Sequence, residues 1–329
     1  MQRTTFVRAA LAAAAIAALP FAAQAQTLKL TLGHGAAIGN PRHEASVKFA
    51  EALKAKSGGR IEVQIAPSGQ LGDDAAMVTA LRTGALDLSA NSQGAVANAV
   101  PEYAAFGMPF LFGSAAAAFK LLDGPLGKEL ADKSAEKGLV LLGTWDNGIR
   151  QMTNSKRPIA KVEDMKGLKM RVPPDATLVD IMKSLGAESQ QIKFAELYVA
   201  LQQGVVDGQE NPLVNIHASK LYEVQKHLAL TNHQFQMTPF LISKRSWDKL
   251  SDADRKAVTE AAAEATALQR KLSQEADDKL LADLKSKGVQ VTTPDKAAFA
   301  KATADVVAKW ESAAIGPYVK KVVAAAQTH

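Results

Sequence analysis

The stretch LQQGVVDGQENP, residues 201–212, reads as the end of a helix, a short apolar strand and a polar loop stopped by Pro212. The same L-x-x-G-x-x-D pattern occurs earlier as Leu81-Arg-Thr-Gly84-Ala-Leu-Asp87, 120 positions upstream and again where a helix ends and a strand begins. A glycine closing a helix just before an apolar run is the chemistry of a left-handed C-cap. Its recurrence at a matching point predicts one structural unit used twice, hence two similar lobes. In this reading Asp207 repeats Asp87 and ties down the turn.

Working outward, strands and helices alternate. Leu28 to Leu32 and Ile61 to Ile65 alternate as strands, and Pro41 to Lys56 carries helical spacing closed by Gly58-Gly59. Asp73 to Arg82 predicts a helix with acids in its first turn, and Leu86 to Ala90 a third strand. A helix over 115–137, strands at Leu139–Gly143 and Leu168–Val172, and helices at Ala176–Leu185 and Ala195–Gln203 follow. This order predicts an α/β fold with largely parallel pairing. Ser251 to Lys287 differs: Ser251 and Asp254 form a capping pattern, and no Gly or Pro interrupts before Gly288. A helix of that length reaches about 54 Å, so it is expected to lie across both lobes.

The first residues, MQRTTFVRAALAAAAIAALPFAAQAQ, carry Arg3 and Arg8, an apolar run and Ala23-Gln24-Ala25, the features of a secretory signal cleaved after Ala25. Cleavage leaves 304 of the 329 residues, room for two ordinary domains, and lowers the net charge from +6 to +4. The expected location is the periplasm. With no cysteine, thiol nucleophiles, thiolate metal sites and disulfides are excluded. Aromatics at 5% and scattered Lys and Arg argue against a nucleic-acid groove.

Candidate site residues gather at strand ends. In DMKGLKMRVPPDAT, Arg171 precedes Pro173-Pro174. Local pattern alone makes it a solvated strand residue; its place at a carboxyl strand end, where open α/β sheets put ligands, makes it a planar fork for a carboxylate. Arg150 lies just beyond the strand ending near Gly143, in a stretch resembling a chain crossing. Asn211, held by Pro212, offers an amide that donates and accepts. His34 follows the first strand, and Asp73-Asp74 starts a helix. Among the six histidines no H-E-x-x-H appears, nor any G-x-S-x-G, P-loop or G-x-G-x-x-G elsewhere. Neither catalytic residues nor a cofactor or metal is expected.

The segments PSGQLGDDAAM, WDNGIRQMTNSKRPI, MKGLKMRVP, FAELYVALQQGVVDGQENP and LYEVQKHLALTNH resemble the extracytoplasmic solute receptors of tripartite ATP-independent periplasmic (TRAP) transporters, densely over residues 67–233. That resemblance implies a two-lobed periplasmic binding protein fold that closes on a small organic acid, a C4-dicarboxylate or sugar acid, and delivers it to a membrane permease. It implies that Arg171 grips the ligand carboxylate, that Arg150 and Asn211 are companion contacts, and that Phe194 packs on the ligand. It further implies discontinuous lobes, 26–147 with 236–276 and 148–235 with 277–329. Sialic-acid receptors carry an acid in the loop after the third strand, where this chain has Asn91-Ser92-Gln93, which speaks against sialic acid. Asn91, Gln93, His34, Asp73 and Asp74 are the candidates for the ligand's far end. The expected partners are the carboxylate and the TRAP permease subunits, with no nucleic acid, and the receptor is expected to be a monomer. The rival is a secreted hydrolase acting on a small anionic substrate through His34 or His233 and a nearby acid.

Overall fold

The computed structural model describes residues 27–328, so the leader expected at residues 1–25 lies outside the described residues. Nine strands are present among them: β1 (Leu28–His34), β2 (Ile61–Ala66), β3 (Leu88–Ala90), β4 (Leu139–Asn154), β5 (Lys169–Val172), β6 (Glu188–Gln191), β7 (Gly208–Asn211), β8 (His227–Ser243) and β9 (Gln290–Thr292). Their order is β2-β1-β3-β8-β4-β7-β5-β6, with β9 beside β8. The outer triplets mirror one another, each parallel with its first strand in the middle.

The repeated pattern builds that symmetry. Gly84 (φ 78°) and Gly204 (φ 70°) end their helices in the left-handed region, and each N–H bonds a leucine carbonyl, Leu81 or Leu201, at 3.1 Å. The carboxylate of Asp87 then accepts the N–H of Thr31 in β1, and that of Asp207 accepts the N–H of Lys169 at the start of β5, both at 2.9 Å. In each half the aspartate is structural, but it ties the strand entry to the central parallel strand rather than tying down its own turn as expected.

The expectation of largely parallel pairing holds only for the triplets and β9; β3–β8, β8–β4 and β4–β7 are antiparallel. The strand expected to stop near Gly143 runs on to Asn154, so β4 and β8 each pass through both halves of the sheet. Register shifts occur between Leu141 and Gly143, Asp146 and Gly148, and Arg150 and Met152, where β4 bends. Gly148 sits at φ 114°, and a Cβ there would lie 2.7 Å from the Pro212 ring, so only glycine fits. The helix expected over 115–137 is two, Ala115–Leu122 and Pro125–Glu136, because Pro125 starts a new one.

The long helix spans Asp252–Ser286, capped by the Ser251 hydroxyl, which accepts the Asp254 N–H. Ala261, Ala262 and Ala265 near its start pack with Phe49 and Leu53 in the core under β1–β3. Leu284 near its end packs with Leu197, Leu213 and Leu228 in a core of the other half. Between them Trp145 donates to Thr266, Gln269 brackets the Asp146 backbone, and Arg270 bonds the Thr144 carbonyl. The helix therefore spans both lobes. Among the described residues no helix is long and apolar enough to cross a membrane.

Candidate ligand-binding site

A cavity of about 450 Å³ lies where the carboxyl ends of both triplets converge. Such strand ends are where open α/β sheets bind ligands. One wall comes from Gly35 and Ala36 after β1, Ser68 to Ala75 after β2, Ser92 after β3, and Arg42 of the helix Pro41–Lys56. The other comes from Arg171, Pro173 and Pro174 at the end of β5, Gln191 to Ala195 after β6, and Asn211 and Asn215. Asn147 and Arg150 of β4 form the floor.

Arg171 is 2% exposed, which rules out the solvated reading that its local pattern allows. Among the described residues its one hydrogen bond is from Nε to the Ile192 carbonyl at 2.8 Å, leaving both Nη ends of the fork uncommitted at the cavity wall. Its guanidinium carbon stands 5.7 Å from the Phe194 ring centre. Burial lowers its pKa to about 10, with Arg150 adding to the fall and Glu210 and Asp74 opposing it. The group is still charged at neutral pH, a buried cation facing space sized for an anion.

Arg150 lines the same cavity but is largely occupied. Nε and Nη2 hold the Glu210 carboxylate, Nη2 also reaches the Glu210 carbonyl at 2.6 Å, and Nη1 donates to Gln236 at 2.8 Å. One of its five N–H groups remains for anything else. Glu210 also meets His233 Nε2 at 3.2 Å, and His233 Nδ1 meets the Thr231 hydroxyl at 2.8 Å. All three side chains are buried. The polar residues after Asp207 thus divide: Glu210 positions Arg150, Gln209 donates to Thr153 and accepts from Asn211, and Asn211 meets the cavity.

The structure gathers Arg171, Arg150, Asn211, Phe194, Asp73 and Asp74 around one space. His34, Asn91 and Gln93 are not among its lining residues. His34 is sealed against His43 at 3.2 Å, and burial, with Arg42 and His43 nearby, lowers its pKa to about 3. Asn91 turns to Ser89, and Gln93 is held by the Tyr103 carbonyl and the Met237 N–H. In that loop it is Ser92 that faces the cavity, its N–H on Asp74 at 2.8 Å. Sequence reading missed Arg42, Asn147, Asn215 and Lys193. Arg42 donates to Asn147 and Thr238, and Asn215 bonds Asn40, Asn147 and Asn211. None of the four carried a local signal: Asn211 ends β7 and Asn215 lies in the helix Leu213–Ala218 that follows, so the fold rather than a helical spacing brings them together.

Two mirrored lobes joined by long shared strands, with a cavity between them and a buried cationic fork on its wall, define a ligand-binding protein of the bilobal class. The chain matches the profile of bacterial extracellular solute-binding proteins, family 7 (DctP), over residues 32–313. It belongs to that family. It is 53% identical over 300 residues to the uncharacterized protein y4mM of Sinorhizobium fredii, covering 91% of this chain and 55% of that protein, so it spans about half of that relative's length. The sugar acid binding protein DctPAm of Advenella mimigardefordensis, solved with galactonate, superposes at a TM-score of 0.89 with 36% identity, over 92% of this chain and 99% of that one. A TRAP periplasmic solute-binding protein of Polaromonas, solved with D-erythronate, gives 0.87 and 36%, over 91% and 98%.

Proposed function

We propose that this chain is the extracytoplasmic receptor of a TRAP transporter and that it closes on a small sugar acid, which it hands to the membrane permease. The observation that carries this reading is the Arg171 fork, buried and uncommitted, on a cavity of about 450 Å³. That volume lies within the range of sites that enclose a small molecule. A carboxylate in the fork accepts two charge-assisted hydrogen bonds, and Phe194 covers the pair from water. At the opposite wall Asp73 and Asp74 can accept from hydroxyls but repel a second carboxylate, which favours a sugar acid over a C4-dicarboxylate. The galactonate and D-erythronate held by the two solved relatives are acids of this kind.

Around that site we assign Arg150 and Asn211 as companion contacts, Arg150 through its single remaining N–H. We assign the lobes as 26–147 with 236–276 and 148–235 with 277–329; the β4 bend at Asp146–Gly148 supports the first crossing. The chain acts as a monomeric, non-enzymatic carrier in the periplasm after cleavage at Ala25. Isothermal calorimetry with galactonate, erythronate and succinate tests the reading. Aldonates are expected to bind more tightly than succinate. Arg171→Ala removes two charge-assisted bonds of about 1.5–3 kcal/mol each, a loss of at least about a hundredfold in affinity. Unchanged affinity in a folded Arg171→Ala protein refutes it.

A further inference from the structure

A second cavity, of about 350 Å³, meets β4 where it bends and shares Asn147 with the first. Its walls carry two acids, Asp146 of β4 and Asp277 of the long helix, beside the apolar Ala115, Ala116, Ile149 and Val214. Asp146 is 4% exposed, and its Oδ1 has no hydrogen-bond partner among the described residues. The Gly148 N–H supports the same carboxylate, and the nearby cation Arg270 is bonded to Asp123 and the Thr144 hydroxyl. A buried carboxylate whose nearest cation is committed to other acceptors is unfavourable, and burial together with Asp277 raises its pKa to about 7 against the opposing effects of Arg270 and the Gly148 N–H. A positive ligand would relieve that.

The size and lining discriminate between cations. A hard metal ion takes about six to eight oxygen ligands in a close cage. No group of three or more His, Cys, Asp or Glu placed for a metal exists among the described residues. The cavity is also about ten times the volume that one water takes in the liquid. An alkylammonium ion matches both parts of the wall, charge to the acids and carbon to the apolar side.

We propose that this second cavity binds a small organic ammonium ion, with its nitrogen on Asp146 and Asp277 and its carbon chain on the apolar wall. Asn147 connects the two sites, because its side chain accepts from Arg42 and Asn215 at the first cavity.

Titration of the full chain with butylammonium chloride, followed by thermal unfolding against sodium chloride at matched ionic strength, tests this directly. A saturable rise in Tm with the amine and none with sodium supports it, as does a midpoint at least tenfold weaker in Asp146→Asn and in Asp277→Asn. A rise that sodium reproduces, that never saturates, or that both variants retain unchanged overturns it. The Arg171→Ala protein keeps the amine response, so failure of this site and failure of the carboxylate reading are separable.

Discussion

Arg150 commits four of its five N–H groups to Glu210 and Gln236, whereas Arg171 commits one, to the Ile192 carbonyl. The G-L-K-x-R strand made Arg171 legible as a candidate, but its burial was not, because the segments that cover it, residues 191–195 and the opposite wall, come from distant parts of the chain. Arg42 was hidden for the same reason: next to Pro41 it reads as a helix start, and only the fold brings Asn147 to it. Glu210→Gln leaves Arg150 with half its ion pair gone, and urea unfolding at pH 7 should register a loss of about 3–5 kcal/mol. Burial pushes the Glu210 carboxyl up, but Arg150 and His233 more than offset this and hold it below its usual value. A depressed carboxylate stabilises the fold above its unfolded pKa of about 4.3 and loses that contribution as the pH falls through the lower folded value, so the variant should lack this acid-limb loss. Asp146 has the opposite sign. Raised to about 7 by burial and Asp277, it disfavours the folded state increasingly between about pH 4 and 7. Asp146→Asn should therefore raise Tm at pH 8 and give little at pH 4, and an equal gain at both would contradict the assignment.

At the scale of elements, the helix, capping glycine and aspartate of the repeated unit were legible because their signals are local, but the second strand was read too early: β7 is Gly208–Asn211, the polar stretch expected to be a loop, and Val205 and Val206 precede it. The structure gives the aspartates matching roles, with one addition. Asp87 also accepts from the Ser246 hydroxyl at 2.6 Å, where the other oxygen of Asp207 has only the more exposed Lys156 ammonium at 3.5 Å. Asp207→Ala should cost about 1–3 kcal/mol and Asp87→Ala more, in chemical denaturation of each single variant. β4 was illegible past Gly143 because Asp146, Asn147, Arg150 and Gln151 break the apolar alternation by which strands are recognised. Those side chains are buried by both the cavity floor and the long helix, so polarity there marks a site rather than a loop. The long helix was legible to within a residue at each end, since Ser251 caps it and Gly288 follows it.

Over the whole molecule, a few side-chain contacts join the two halves around the cavity, and the proposed closure would act on them. Asn40 donates to Asn215 deep in the cleft at 2.9 Å, and Gln236 donates to Asp175 at 2.7 Å. At the rim, Lys193 after β6 reaches Asp73, the N-cap residue of the helix after β2, with 3.3 Å between Nζ and Oδ2. This pair joins the two mirrored triplets across the entrance. Lys193 is 61% exposed and Asp73 27%, so water and salt screen the interaction and its worth is about 0.2–1 kcal/mol. If the proposed closure is what forms this pair, the contact acts on escape rather than on encounter, since the ligand has then entered before the pair forms. Lys193→Ala should accordingly speed release of a bound sugar acid by up to about fivefold, with association little changed, in stopped-flow measurements at low salt. Raising the ionic strength to about 1 M, where the screening length falls to about 3 Å, should bring wild type and variant together. If the variant instead slows association and leaves release unaltered, Lys193 is steering the anion inward, and Asp73 is then a capping residue with no part in holding the lobes shut.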